Sequence, residues 1–176
     1  NSEILLAGRH GRCCRFDEND ARALGRTASG VRGINIDEDD EVIGMIAYDP
    51  TAEDAQAHSL LVVSEHGYGK RSDFDEYRKT NRGGKGVKTL NITEKTGELV
   101  AMKNVTDEND LMIINRSGIT IRMAVADIKV AGRATQGVKL INIKDGDSIA
   151  AISAVNKSEE ETSEQQAEPA QEQTNE

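Results

Sequence analysis

An internal repeat constrains the fold of this chain more than any other feature. The segments RTASGVRGINI from Arg26, RGGKGVKTLNI from Arg82 and RATQGVKLINI from Arg133 share an arginine, a glycine-valine pair and a second cation. These segments begin 56 and 51 residues apart, and the glycines at positions 11, 67 and 118 keep the same spacing. A repeat of about fifty residues is typical of blades or other units that stack on their neighbours.

Each repeat is built from short strand-like elements. The segments that begin at Ile4, Leu60 and Leu111 each combine an apolar strand, a glycine turn and a basic strand, and a closing strand such as EVIGMI follows an acidic turn. Short Val, Ile and Leu runs bounded by Gly, Asp and Asn predict strands, and no long amphipathic helix is apparent. We therefore predict an all-β, propeller-like array in which the basic strand joins the other strands of its own repeat. About three four-stranded blades, near 1–50, 58–105 and 108–155, make up a domain of residues 1–157.

The negative charge of the chain is concentrated at its C-terminal end. The net charge is −9, yet nine acidic residues and one basic residue lie between Asp145 and the last residue, so the preceding part is nearly neutral. Residues 158–176, SEEETSEQQAEPAQEQTNE, contain no aliphatic side chain larger than alanine. Such a segment buries too little apolar surface to offset its ordering entropy, and we predict a disordered acidic tail.

Positive charge recurs at equivalent places of the repeat. Equivalent residues of a repeat array lie along one rim, and a row of cations forms a track for a polyanion. Glycines among them allow close backbone approach and offer N–H groups to phosphates. The alternative is a set of solvated basic loops. The residues predicted to bind DNA are Arg22, Arg26, Arg32, Lys70, Arg71, Lys79, Arg82, Gly83, Gly84, Lys85, Gly86, Lys88, Lys129, Arg133 and Lys139.

Other chemistries lack their signatures. Lys85 is followed by Gly86 where a nucleotide-binding P-loop needs Ser or Thr, and the ligand spacing of a zinc site is missing. Cys13 and Cys14 are adjacent, so they point to opposite faces of a strand and indicate a reducing compartment. No apolar run reaches the length of a membrane span, and no signal peptide is apparent. We expect neither a catalytic group nor a metal site.

Four phrases carry a family resemblance: ALGRTASGVRGI, GYGKRSDFDEYRKTNRGGKGVKTL, NDLMIINRSGITIRM and AGRATQGVKLINI. In order and spacing they resemble the C-terminal domain of the bacterial DNA gyrase A subunit over nearly all of residues 1–155. The resemblance implies a β-pinwheel whose basic rim wraps duplex DNA, and it places this chain at the domain's end. The family's Q-R-R-G-G-K-G box is matched from Arg82 through Gly86 but not at Thr80 and Asn81, which implies a degenerate copy.

The resemblance also implies a function. The chain would be a non-catalytic, DNA-wrapping part of an ATP-dependent type II topoisomerase that introduces negative supercoils, in the cytoplasm and on the nucleoid. Implied partners are duplex DNA and the rest of the gyrase A subunit, together with the gyrase B subunit in an A2B2 heterotetramer, with no membrane. ATP and Mg²⁺ would serve the complete enzyme, and this segment would hold no cofactor. The family's active-site tyrosine has no counterpart among Tyr48, Tyr68 and Tyr77.

Two alternatives remain open from the sequence. The C subunit of topoisomerase IV shares the fold, although GYGKR and R-x-T-Q-G-V favour gyrase. A non-enzymatic propeller-type scaffold for protein interactions would also fit the repeat. Because the chain begins at Asn1 without a methionine and directly on a strand, we expect it to be a fragment of a longer protein.

Overall fold

The computed structural model describes residues 1–157, so the acidic tail predicted for 158–176 lies outside the described residues. In this described part, four 3-10 helices cover Glu18–Asp20, Ala55–Ala57, Phe74–Glu76 and Val125–Asp127. Within residues 1–157 no helix is long or apolar enough to cross a membrane. The strands are β1 (Glu3–Gly8), β2 (Arg12–Asp17), β3 (Val42–Tyr48), β4 (Ser59–Ser64), β5 (Tyr68–Ser72), β6 (Val87–Lys88), β7 (Leu99–Val105), β8 (Asn109–Asn115), β9 (Thr120–Ala124), β10 (Val138–Lys139) and β11 (Ile149–Asn156).

The hairpin that opens each repeat turns on a glycine. Gly11, Gly67 and Gly118 all have a φ of 87°. This left-handed region is accessible to glycine and strained for other residues. At Gly11 and Gly67 a Cβ would also lie within 3 Å of a neighbouring carbonyl oxygen. The recurring glycine of the sequence is therefore required by the backbone of the turn.

The strands of residues 1–157 form three antiparallel sheets. The first has the order β3-β1-β2-β6, the second has the order β10-β5-β4-β7, and the third comprises β11-β8-β9 within the described residues. The prediction of an all-β array of four-stranded blades is confirmed. The sheets stack side by side, since β3 packs near β7 and β7 packs near β11.

In the second and third repeats, one strand does not pair as the sequence predicted. β6 belongs to the second repeat but pairs with β2 of the first, with Arg12 opposite Lys88. β10 of the third repeat pairs with β5 of the second, with Tyr68 opposite Lys139. The expectation that the basic strand stays in the sheet of its own repeat is therefore wrong. The crossing satisfies backbone groups along the outer edges of β2 and β5, which would otherwise remain open.

The second sheet is buried on both faces. Along β4, Leu60 and Val62 join the core shared with the first sheet, whereas Leu61 and Val63 join the core shared with the third. Successive side chains of a strand point to opposite faces, so a continuous apolar run is needed when both faces are covered. All six residues of β4 are buried.

Candidate nucleic-acid interface

Two of the three basic stretches cross the outer edges of sheets. We call residues 22–32, 78–88 and 129–139 the rim segments. The second rim segment starts beside β2, where the backbone of Lys79 forms an isolated β-bridge with Arg15. It ends in β6, where Lys88 lies opposite Arg12 in the strand register. The third crosses β5 in the same way, from the Val130 bridge to the Lys139 pair. Strand exchange thus lays one basic segment over the exposed edge of each of two sheets.

Several rim cations are exposed and carry no protein partner. Within residues 1–157, their charged groups make no hydrogen bond and no ion pair. A charge of this kind remains available to an external anion. Lys139 is also exposed, and its Nζ lies 5.8 Å from the centre of the Tyr68 ring. The unpartnered rim cations are Arg22, Arg26, Arg32, Lys85, Lys88 and Lys129.

Two predicted arginines join neighbouring rim segments. Arg82 donates from Nε to the Asp20 carbonyl at 2.8 Å and from Nη1 to the Arg32 carbonyl at 3.1 Å. Arg133 repeats this arrangement one unit later, with bonds of 2.9 Å to the carbonyls of Glu76 and Lys88. Both side chains are half-buried. Arg82 and Arg133 therefore order the rim and still offer part of their guanidinium groups to the surface.

Lys79 shares its charge with two carboxylates. Its Nζ lies 2.8 Å from Asp17 Oδ2 and 3.2 Å from Glu3 Oε1. The hydrogen bond from Lys79 lowers the pKa of Asp17 to about 2, and the same bond raises the pKa of Lys79. The ammonium joins the first sheet to the second rim segment, so less of its charge is available to a polyanion than at Lys85 or Lys88.

Burial argues against the direct DNA contact that the sequence predicts for Lys70 and Arg71. Both lie on β5 and are buried, with exposures of 1% and 5%. Arg71 donates from Nη1 to Asp107 at 2.7 Å and to the carbonyls of Val125 and Ile128 at 3.3 and 3.4 Å. Its Nε donates to the Ser59 hydroxyl of the same repeat at 2.8 Å, so the Nη1 group alone ties Arg71 to the carbonyls of the next repeat.

Arg15, one repeat earlier, reaches the carbonyls of Phe74 and Tyr77 at 2.7 and 3.0 Å, and it pairs with Glu3. Positions 74 and 77 are equivalent to positions 125 and 128, which Arg71 reaches. The strand arginine is therefore a recurring tie between blades.

Two glycines of the RGGKG turn, Gly83 and Gly86, are needed for the conformation and close contacts of the protein's own backbone. Gly83 and Gly86 have φ values of 79° and 76°. The Gly83 N–H donates to the Gly33 carbonyl at 2.6 Å, so it is not available to a phosphate. A Cβ on Gly86 would clash with the Cys13 carbonyl oxygen. Gly84 has no such close contact, since its nearest neighbour would be 3.8 Å away.

Sequence reasoning missed three cations near the rim. Arg12 is exposed beside Lys88 and donates to the Gly86 carbonyl at 3.2 Å, and Arg78 is exposed at the start of the second rim segment. Lys95 lies 5.5 Å from the Tyr68 ring centre, close to Lys139. Arg12 could not be found from the sequence because it lies on β2 and reaches the rim only where β2 pairs with β6 of the next repeat. The sequence does not show this pairing.

An acidic turn of the first repeat surrounds His10. The His10 ring lies about 4 Å from carboxylate oxygens of Asp37, Asp39 and Asp40. The ligand atoms of His10, Asp37 and Asp39 lie within 4.8 Å of one another, a spacing that is compatible with one bound cation. Arg9 enters the same turn, where its Nε lies 2.9 Å from Glu98.

The cysteines Cys13 and Cys14 are free and buried, and burial raises the pKa of both thiols.

The sequence comparisons with known proteins agree on one family. The sequence profile described as "DNA gyrase C-terminal domain, beta-propeller" matches residues 2–49, 58–106 and 109–156. The A subunit of DNA gyrase from Staphylococcus epidermidis is 45% identical over 160 residues, which cover 91% of this chain and 18% of that protein. Its counterpart from Staphylococcus aureus is 45% identical over 163 residues, with 92% and 18% covered.

Solved structures show the same fold. A DNA gyrase A C-terminal domain matches with a TM-score of 0.77 at 22% identity, covering 88% of this chain and 50% of that one. A topoisomerase IV C-terminal domain matches with a TM-score of 0.80 at 20% identity, covering 94% and 51%. The chain spans about a fifth of the length of the curated relatives that it matches. With three profile matches and relatives at 45% identity, it belongs to the DNA gyrase C-terminal domain family.

Proposed function

We propose that this chain binds and wraps duplex DNA along its rim segments, as part of a DNA gyrase A subunit. One observation carries the proposal: unpartnered cations occupy equivalent places on successive rim segments, and strand exchange holds two of these segments across the sheet edges. Contacts to phosphates release counterions from the duplex and supply affinity without regard to sequence.

Bending is the main cost of such a complex. Curving 20–30 base pairs of duplex smoothly costs about 1–6 kcal/mol, and a row of phosphate contacts offsets it. Within residues 1–157 the helices are single 3-10 turns, and none has the length to read bases in the major groove. The recognition we propose is therefore of charge and shape.

The proposal extends to the complete protein. The relatives, which are named as the A subunit of DNA gyrase, favour a gyrase over topoisomerase IV as the parent enzyme. In that enzyme, rim-bound DNA is presented to a cleavage gate elsewhere, and strand passage driven by ATP introduces negative supercoils. The gyrase B subunit, ATP and Mg²⁺ belong to this proposed complete enzyme, and no residue of this chain is proposed to hold either cofactor.

The tyrosines support a non-catalytic role for the chain. Tyr48 stacks on Phe74 with ring centres 3.9 Å apart, and Tyr77 is buried with its hydroxyl bonded to Thr89. Tyr68 is also buried, beneath the Lys95 and Lys139 ammonium groups. All three rings therefore pack the protein, and none is placed to attack a phosphodiester.

Duplex affinity measured against salt tests the proposed function. The chain is titrated with two duplexes of equal length and unrelated sequence between about 0.05 and 0.3 M salt. If six rim cations contact phosphates, log K falls against log salt with a slope of about −5, equally for both duplexes. A slope near zero would contradict DNA binding by the rim and would favour an apolar protein-interaction scaffold.

A further inference from the structure

A buried lysine supports the rim segment of the third repeat from below. Lys70 lies on β5 and is 1% exposed. Its ammonium donates to the carbonyls of Gly132 and Thr135 at 2.9 Å each, approaches the Thr135 hydroxyl at 3.2 Å, and contacts the Arg133 carbonyl. An ammonium has three donors, and all of them are directed at residues 132–135. We call residues 132–135 the third-repeat turn.

Burial of this charge is unfavourable unless the surrounding oxygens compensate. Desolvation, and then the nearby charge of Arg133, lower the pKa of Lys70 to about 8. The carbonyl oxygens favour the protonated form and offset the desolvation. Arg133 and Glu76 are the charged groups that act on Lys70. Because the buried ammonium needs these oxygens as partners, it fixes the directions of the carbonyl groups in the third-repeat turn.

The preceding repeat provides an internal comparison. The residue equivalent to Lys70 is Cys14, and the equivalent turn is residues 81–84. Cys14, Asn81 and Lys85 help to line a cavity of about 180 Å³. In the third repeat the lysine reaches the turn, whereas in the second repeat this cavity lies beside the turn. The Gly84 carbonyl accepts from the Asn35 N–H at 2.9 Å, and the Thr135 carbonyl accepts the equivalent bond from Asn91 at 3.1 Å. The lysine is thus an additional restraint on one turn.

We propose that Lys70 is a positioning residue for DNA binding: its ammonium holds the third-repeat turn in the shape that presents Lys129, Arg133 and Lys139 to the duplex. This inference rests on the proposed function, because it assigns a task within the same rim. We call the hydrogen bonds from the Lys70 ammonium to the third-repeat turn the brace. The turn at 81–84 has no such bonds from Cys14, so deprotonation or loss of Lys70 should affect the third-repeat turn and not the turn at 81–84.

Amide hydrogen exchange tests the brace without DNA. In the full chain, Lys70→Met keeps the length of the side chain and removes its donors. We expect the Thr135 amide, which donates to Gly132, and the Asn91 amide, which donates to Thr135, to exchange at least about tenfold faster, because local opening follows the loss of local hydrogen bonds. The Asn35 amide, which donates to the equivalent Gly84 carbonyl, should remain unchanged. Lys103→Met, a lysine on β7, is the matched control and leaves both turns unchanged. Equal protection of the Thr135 and Asn91 amides in the wild type and in Lys70→Met would overturn the proposal.

Duplex affinity then separates the brace from the proposed function. Lys70→Met weakens binding by about fivefold, since the loosened turn must be ordered again on DNA. Failure of the wild type to bind with a salt dependence would refute the proposed function and leave the exchange result standing. Normal wild-type binding, with faster exchange but unchanged affinity in Lys70→Met, would refute the positioning role alone.

Two further measurements keep the proposal testable if Lys70→Met does not fold. In wild-type NMR spectra, amide shifts of residues 132–137 should titrate with a midpoint near pH 8, and those of 81–86 should not. Cys14→Lys places an ammonium beneath the turn at 81–84 and should slow its exchange by about threefold or more. A titration that moves residues 81–86 as much as 132–137, or unchanged exchange at 81–86 in folded Cys14→Lys, would contradict the brace.

Discussion

Replacing Lys85 and Lys88 with alanine removes two charges that the protein itself does not use. Both side chains are exposed, and within the described residues neither ammonium makes a hydrogen bond or an ion pair. Arg82 is a less suitable choice, because it also bonds to the carbonyls of Asp20 and Arg32. The double lysine variant should therefore unfold at the temperature of the wild type, and any loss of DNA binding then reports on the rim.

The size of the loss follows from counterion release. Each phosphate contact contributes about 0.9 to the slope of log K against log salt, so the double variant should be shallower by about 1.8. For purely electrostatic contacts, extrapolated to no contribution at about 1 M salt, affinity falls roughly 60-fold at 0.1 M and about ninefold at 0.3 M. These ratios correspond to about 2.4 and 1.3 kcal/mol.

Fluorescence anisotropy with a labelled duplex at several salt concentrations measures both quantities. The matched control is Lys103→Ala with Arg116→Ala, which changes the net charge equally but lies outside the rim segments. The control should keep the wild-type slope. An unchanged slope in Lys85→Ala/Lys88→Ala, or a loss that differs between duplex sequences, would refute binding of phosphates by the rim.

Three further outcomes are expected. Arg71→Met should lower the free energy of unfolding by about 3 kcal/mol in urea titrations, because it leaves buried carbonyls without a donor, and it should keep the salt slope; a shallower slope at unchanged stability would contradict this. Gly86→Ala should cost about 2 kcal/mol or more through its positive φ and the contact with Cys13, whereas Gly84→Ala should be nearly neutral; equal effects in thermal unfolding would refute the assignment. Truncation after Lys157 removes the acidic residues 158–176 and should tighten duplex binding at low salt, with the gain shrinking as salt rises; equal affinities at low salt would leave the tail without a competing role.

The architecture could be predicted from the sequence because the repeated residues are ones that the backbone conformation requires. The glycine of each hairpin turn has a positive φ, and the apolar run of β4 reflects a sheet covered on both faces. These are local requirements, so they are visible at one position after another. The rim followed from the same period, because equivalent residues of stacked units lie side by side.

The sequence did not predict which sheet each basic strand joins. β6 and β10 are only two residues long, and their partners lie about seventy residues away in the chain, so local patterns carry no information on the pairing. Charge was also taken as a sign of exposure, which failed at Lys70 and Arg71. A signal for Arg71 was present: arginine recurs at positions 15, 71 and 122, on the hairpin strand and outside the rim segments.

Ligation of a nicked circular DNA in the presence of the chain tests the central claim most directly. A duplex curved around the rim segments changes the linking number that ligation traps. We expect a shift that grows with bound protein, disappears as salt rises, and is strongly reduced in Lys85→Ala/Lys88→Ala. Saturating, salt-sensitive binding with no change in linking number would show that the rim holds DNA without wrapping it, and would contradict the proposed function.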